Sequence, residues 1–521
     1  MFENFNDPNG NPEKPYVWKN MNRKPDLLLI TPPSKDVVFQ ELSRDFVAIE
    51  PPVWSTLLAT FLCRKGIAVE ILDAEAESIG FDETARRITE IDAVLTVFVI
   101  YGHQPSASTQ CMPAGRAVGK RVREAAPNLK MLVMGTHASA LPERTLMEEP
   151  YDFVCEGEGP YTVLALVEML KSGKDKLENI PGLWYRVGKE TFSNARAPDI
   201  ADLDMEIPGQ AWDLLDMSLY RAHNWHCFEH IDQRQPYASI QTGLGCPYKC
   251  SFCCINAPFE RPGNRLWSPQ TVVDQIDRLV SEYGVKNIKI PDEMFVLNEK
   301  HVTGICNLLI DRDYDLNIWA YARVDTVKDR YLEKLKRAGF NWLALGVESG
   351  SKYVRDGVEK GSFNDRDILR TTNKIKEHGI YIIANYIFGL PDDTRKSMQE
   401  TLGLAIEINA EWANFYCTMA YPGSSLYSQG KEKGLPLPDD EGGPGWIGYS
   451  QHGYESLPLP TNTLSSWEVL DFRDDAFVKY FSQVRFLDSI EKKFGSHAID
   501  HVKSMLDVKI KRKHRDPIIT S

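Results

Sequence analysis

The stretch SIQTGLGCPYKCSFCCINAPF, residues 239–259, decides how the rest of the chain is read. It sets Cys246, Cys250 and Cys253 at a Cys-x-x-x-Cys-x-x-Cys spacing on one short loop. Three thiolates so placed can hold three irons of a cubane cluster, because iron–sulfur cages are built from cysteines at short, fixed intervals. The fourth iron is left without a protein ligand and can take up something exchangeable. Gly243 and Gly245 give the backbone freedom to wrap a cluster, and Pro247 stiffens the turn. Zinc is the competing reading, but structural zinc takes four protein ligands and recurs as paired Cys-x-x-Cys units. No partner pair occurs, so the pattern favours iron–sulfur. Cys254 follows a ligand position directly, but consecutive cysteines point in different directions and it is not counted as a ligand.

Working outward, a strand at 237–241 leads into this loop, and five more follow near 286–290, 316–320, 342–346, 381–387 and 412–418. Helical patterns lie between them, such as Ser268–Tyr283 and Val327–Ala338. Six such repeats predict a partial (β/α)6 TIM-type barrel, with its chemistry at the C-terminal strand ends. Upstream, Asp26–Thr31, Ala68–Asp73, Ala93–Ile100, Lys130–Met134 and Asp152–Cys155 read as strands alternating with helices. Short apolar runs separated by helices predict a doubly wound, Rossmann-like parallel sheet that binds its ligand outside the carboxyl strand ends. The expected organisation is α/β throughout: an N-terminal arm at 1–24, a Rossmann-like domain at 25–168 and a connector with a small hairpin at 169–235. The partial barrel follows at 236–430, then a small, mainly helical C-terminal region at 431–521 that closes a cavity. Tyr421, Trp446, Tyr449, His452 and Tyr454 are candidate walls of that cavity, and the final KIKRKHRD run reads as a solvated end.

The 521 residues are too many for one core and fit two or three domains. A net charge of -13 argues against bulk nucleic-acid binding, which wants a basic footprint. The chain starts without a basic region followed by an apolar run, and no apolar stretch is long enough to span a bilayer. The other cysteines are scattered, so no disulfide framework is expected, and a reducing cytoplasm is the expected location.

The Cys-x-x-x-Cys-x-Phe-Cys string, with Phe252 before the last cysteine, resembles the signature of the radical S-adenosylmethionine (SAM) superfamily. The resemblance implies a [4Fe–4S] cluster whose open iron binds SAM, and a 5'-deoxyadenosyl radical formed when one electron cleaves the sulfonium. It extends to Asp292 and Glu293 after the second barrel strand, where family members hold the methionine amino group. Tyr321 and Arg323 at the third strand end are implied to face the cofactor as catalytic candidates. Glu348 and Ser349 resemble the ribose motif, and Gly389 in GLPDD the motif beside adenine. Taken singly, a Glu after Gly-Val is an ordinary helix-start residue, and Arg323 could be only a carboxylate partner.

The N-terminal half also resembles a family. GTHASALPE at 135–143, YDFVCEGEGP at 151–160 and IPGLWYR at 180–186 look like the cobalamin-binding half of cobalamin-dependent radical SAM enzymes. Small turns at Gly102, Gly135 and Gly157 would let a flat macrocycle lie across the strand ends. Thr136, Ser139, Glu156 and Glu158 offer hydrogen bonds to corrin amides. The Asp-x-His-x-x-Gly that supplies the lower cobalt ligand in methionine synthase is missing after the first strand. His103 and His137 are the strand-end histidines that could reach cobalt, or else only touch corrin substituents.

The combination implies a methyltransferase that moves a methyl from SAM, through methylcobalamin, to an unactivated carbon or phosphorus. A cyclase or rearrangement enzyme with the same cofactors is the alternative. Methylthiolation is disfavoured because no second cysteine trio stands upstream, and a purely scaffolding protein would not need polar residues at every strand end. A small-molecule or peptide substrate, an external reductant of flavodoxin or ferredoxin type, and a monomer or weak homodimer complete the expectation.

Overall fold

A computed structural model describes residues 24–102, 107–173, 176–259, 261–361 and 363–516. Most of the expected arm, and His103, lie outside the described residues.

Seven strands form the N-terminal sheet: β1 (Leu27–Thr31), β2 (Val69–Asp73), β3 (Leu95–Val99), β4 (Met131–Met134), β5 (Phe153–Cys155), β6 (Leu183–Val187) and β7 (Glu190–Ser193). Their spatial order is β2-β1-β3-β4-β5-β6-β7. The first five are parallel and almost wholly buried, as apolar runs covered by helices on both faces should be. The hairpin expected within the connector is β6–β7, and it belongs to this sheet: β6 pairs antiparallel with β5, Phe153 opposite Tyr185. The sheet therefore continues past residue 168.

The second sheet holds β8 (Tyr237–Ser239), β11 (Asn287–Ile290), β12 (Asn317–Arg323), β13 (Phe340–Glu348), β14 (Tyr381–Phe388) and β15 (Trp412–Cys417). All pair in parallel in chain order, giving an open six-stranded partial barrel. The short pair β9 (Gly243–Leu244) and β10 (Arg265–Leu266) closes the base of the cysteine loop.

Trp225, in the connector, lies 5.3 Å from Trp319, 5.6 Å from Trp342 and 6.4 Å from Trp412, ring centre to ring centre. Those three start from β12, β13 and β15, the outer two of which are three strand spacings apart. Adjacent strands lie about 4.8 Å apart, so only the concave interior lets one ring touch all three. Trp225 thus fills the lower end of the barrel. From below, helix Val484–Phe494 adds Phe494 against Trp342 and Phe228.

Along the basic end Lys509, Lys511, Lys513 and Arg515 are exposed as expected, but Arg512 is not. Arg512 is fully buried, its guanidinium 2.8 and 3.0 Å from the two oxygens of Asp474 and 3.1 Å from the carbonyls of Gln451 and Gly453. His514 stacks on Trp467 at 4.6 Å. A buried guanidinium needs a paired carboxylate and accepting carbonyls, and a distant helix supplies the carboxylate. No helix among the described residues is long and apolar enough to cross a membrane.

Candidate active site

The cysteine loop leaves β8 and is tied back on itself. Gly245 adopts φ +86, and a Cβ there would stand 2.8 Å from the Gly263 carbonyl. Asn256 accepts from the Cys246 amide at 3.3 Å and donates to the Cys246 carbonyl at 3.0 Å. Sequence reading missed Asn256; its only signal was an amide side chain three residues past the trio. Phe252 packs against Val354, Val358 and Leu390, anchoring the loop to helix Lys352–Gly357. The Cys254 side chain is instead turned to Gly423, at the boundary with the N-terminal unit.

Burial pushes the Cys246 thiol up to about 11, and pushes Cys253 well above its ordinary value. These thiols stay protonated until a metal deprotonates them. Among the described residues, no three His, Cys, Asp or Glu side chains close on a point as they would around a single ion. A cubane does not ask for that, since each cysteine binds its own iron. The donor set suits a cluster better than a lone zinc.

Asp292 and Glu293 follow β11, but only one keeps a free oxygen. Asp292 accepts from the Thr242 amide at 2.7 Å and its hydroxyl at 2.5 Å, and that hydroxyl also meets His301 Nε2 at 2.9 Å. It therefore holds the chain leading to the cysteines. Glu293 Oε2 is buried with no hydrogen-bond partner, and burial pushes the carboxyl up to about 8. A buried carboxyl oxygen without a partner fits an incoming ammonium, whose charge would favour the ionised form.

Tyr321 stands half-buried, edge-on to Trp319 at 5.0 Å. Arg323, at the end of β12, is directed into the cysteine loop. Glu348 sits at φ +64 just where the register between β13 and β14 shifts. Such bulges re-aim a side chain, and here the carboxylate reaches Lys360 Nζ at 2.5 Å, both groups buried. Gly346 makes room, for a Cβ there would be 2.6 Å from Glu348 Oε1 and 2.8 Å from Lys360 Nζ. Lys360 carried no sequence signal, being separated from Glu348 by a whole helix. Ser349 turns to Thr401 at 3.2 Å and accepts from the Ser351 amide. Gly389 donates its amide to Asp393 at 3.0 Å.

At the top of the N-terminal sheet, Gly135 adopts φ +146, and a Cβ would collide with the Ile100 carbonyl at 2.1 Å. Four buried polar atoms on residues at or just after the ends of β1, β3 and β4 have no hydrogen-bond partner: Thr31 Oγ1, Tyr101 Oη, Thr136 Oγ1 and His137 Nε2. Gly102 lies in the loop after β3, where a Cβ would meet Ala107 at 2.5 Å. Ser139 exchanges hydrogen bonds with Gly157 across the β4 and β5 loops. The two glutamates are already engaged. Glu156 accepts from Trp184 Nε1 at 2.7 Å, and Glu158 accepts from both Arg265 and the Ile200 amide. Burial holds His137 down at about 3, so its ring is neutral at pH 7. Its Nδ1 faces Thr109, and the edge of Trp446 lies 4.5 Å away.

The two halves meet at these ends. Arg265, on β10, pairs with Glu158, and a Cβ on Gly423 would touch Ala140 and Ala257 at 3.0 Å each. Arg144 of the N-terminal unit reaches Asp439, which also accepts from Tyr427 and Tyr449.

Comparison with known proteins assigns each half. The Radical SAM superfamily matches residues 240–405, and the B12 binding domain matches residues 43–167. The chain belongs to the cobalamin-binding radical SAM enzymes. As a member of that family it binds a [4Fe–4S] cluster, SAM and cobalamin, and it acts through a 5'-deoxyadenosyl radical. An uncharacterized methyltransferase, PH0819 of Pyrococcus horikoshii, is 28% identical over 402 residues, covering 77% of this chain and 82% of its own. An anaerobic magnesium-protoporphyrin IX monomethyl ester cyclase of Rubrivivax gelatinosus is 27% identical, covering 73% of this chain but 66% of its own. The structure of OxsB, a cobalamin-dependent SAM radical enzyme with aqua-cobalamin and SAM bound, shares the fold. It aligns at TM-score 0.66 and 16% identity, over 92% of this chain and 72% of its own.

The residues present fit both cofactors of this cobalamin-binding radical SAM enzyme. The unpartnered oxygens and nitrogen at the ends of β1, β3 and β4 suit a macrocycle bearing many amides. The cysteine trio and the free Glu293 oxygen suit a cluster and the ammonium of SAM.

Proposed function

We propose that the chain is a methyltransferase that moves a methyl group from SAM, by way of cobalamin, to an unactivated carbon or phosphorus of a small-molecule or peptide substrate. The observation that carries this reading is the meeting of the two strand-end faces, pinned by the Arg265–Glu158 pair and the Ala140–Gly423–Ala257 contact. Both cofactors then serve one cavity. Similarity to PH0819 along 82% of that methyltransferase's length favours methyl transfer over cyclisation.

In this reading Cys246, Cys250 and Cys253 hold the cluster and Glu293 takes the amino group of SAM. Glu348, held by Lys360, takes the ribose, and the backbone at Gly389 lies beside adenine. Thr31, Tyr101, Thr136 and His137 present polar atoms to corrin substituents. The bound groups supply the radical and the methyl carrier, while the chain orients them and excludes water. A one-electron carrier of flavodoxin or ferredoxin type would deliver the electron.

Anaerobic reconstitution with iron, sulfide and cobalamin tests the two-cofactor reading: about four irons and one corrin per chain are expected. Failure to take up corrin would sink it. Incubation with methyl-deuterated SAM and extract from cells lacking this protein then tests the outcome. Deuterated methyl in a product supports methyl transfer. A product with 5'-deoxyadenosine but no label favours the cyclase reading, which similarity to the Rubrivivax cyclase makes the second choice.

A further inference from the structure

Arg323 is the most heavily engaged side chain around the cysteine loop. It is 4% exposed. Its Nη1 donates to Cys250 Sγ at 3.6 Å, within reach for a hydrogen bond to sulfur. The guanidinium carbon stands 3.8 Å from the centre of the Tyr248 ring, between the first two cysteines. Nε and Nη2 each lie 3.0 Å from an oxygen of Asp325, and Nη2 also donates to the Lys360 carbonyl. Gly361 leaves room for this, since a Cβ there would be 2.7 Å from Nη2. A side chain gripped by a ring, a carboxylate and a carbonyl has no freedom to follow a substrate. What it can do is present a fixed positive charge and one N–H to a single sulfur.

We propose that Arg323 is a positioning residue that sets the reduction potential of the cluster through Cys250, with Asp325 as the opposing charge. This rests on Cys250 being a cluster ligand. When the cluster takes one electron it gains one negative charge. A nearby guanidinium and an N–H···S hydrogen bond stabilise that charge and raise the potential. Asp325, 33% exposed and partly neutralising the guanidinium, works the other way. The two residues form a matched pair with opposite effects on one quantity, which a merely structural ion pair would not have.

The test is a dithionite titration of the anaerobically reconstituted full chain, with the reduced cluster followed by electron paramagnetic resonance. Arg323→Gln should move the midpoint to more negative values and Asp325→Asn to less negative ones. Arg323→Lys should fall between wild type and Arg323→Gln, because it keeps the charge but loses the fork. Gly361→Ala, which displaces the guanidinium without changing charge, should shift in the same direction as Arg323→Gln. An unchanged midpoint in a fully loaded Arg323→Gln variant overturns the proposal. So does a shift of the same sign in Arg323→Gln and Asp325→Asn. If Arg323→Gln does not load, Asp325→Asn decides: an unchanged midpoint there overturns it. Cys250→Ala separates the two readings. Normal iron in that variant removes the ligand assignment itself, whereas lost iron with an unmoved Arg323→Gln midpoint removes only this inference.

Discussion

Lys289 Nζ lies 2.6 and 2.8 Å from the two carboxylate oxygens of Glu50, a buried ion pair that joins β11 of the barrel to the residues just before helix Val53–Arg64. His223 Nε2 is 3.8 Å from the same carboxylate, and the ammonium lies over Trp319 at 5.1 Å. Removing one partner leaves the other charge buried. Lys289→Met is expected to lower the unfolding free energy by about 3–5 kcal/mol. The double change with Glu50→Gln should recover much of that loss, a coupling that denaturant unfolding of the four variants measures.

Gly346 is the space that the Glu348–Lys360 pair occupies. Gly346→Ala places a methyl within 2.6 Å of Glu348 Oε1, so the pair must separate. Loss of one charge-assisted contact is worth about 1.5–3 kcal/mol. Equilibrium dialysis against the reconstituted enzyme should show SAM binding weakened about tenfold or more, with cluster content unchanged.

Gly135 makes the analogous prediction for the other cofactor. With φ +146 and a backbone oxygen 2.1 Å from any added Cβ, Gly135→Ala must displace the turn that carries Thr136 and His137. Corrin retained after gel filtration should fall severalfold. Iron content should stay near the wild-type value, because the cysteine loop is anchored elsewhere.

Asp439 gives a pH dependence. Burial pushes its carboxyl up, but Tyr449, Lys431, Arg144 and Tyr427 together outweigh burial and hold it at about 2, below its ordinary 3.8. A depressed carboxylate contributes stability that is present above its unfolded value and is lost as pH falls through the folded one. Asp439→Asn should therefore melt well below wild type at pH 7. The gap should narrow as the pH is lowered from 4 toward 2, by scanning calorimetry of both proteins. A gap that stays constant across that window would remove Asp439 as the titrating group.

The parts legible in the sequence were those with short-range signals. Apolar runs such as Leu27–Thr31 and Met131–Met134 marked strands because a parallel strand buried on both faces takes few polar residues. Their carboxyl ends gave the neighbourhoods of Cys246, Glu293 and Glu348. What stayed hidden depended on partners far along the chain. Glu158 reads like any loop carboxylate until Arg265 meets it, and Asp292 and Glu293 look alike until Thr242 claims only the first. Arg512 reads as part of a basic tail because its counter-charge, Asp474, belongs to another helix. Lys360 is the same case within the active site.

The Trp225 stopper has a consequence for traffic. With aromatic rings filling the lower end of the open barrel, the route through the bottom is shut. Molecules that react inside would come and go at the strand ends facing the N-terminal unit or through the gap between β8 and β15. The aromatic stopper narrows that choice without touching any reacting atom.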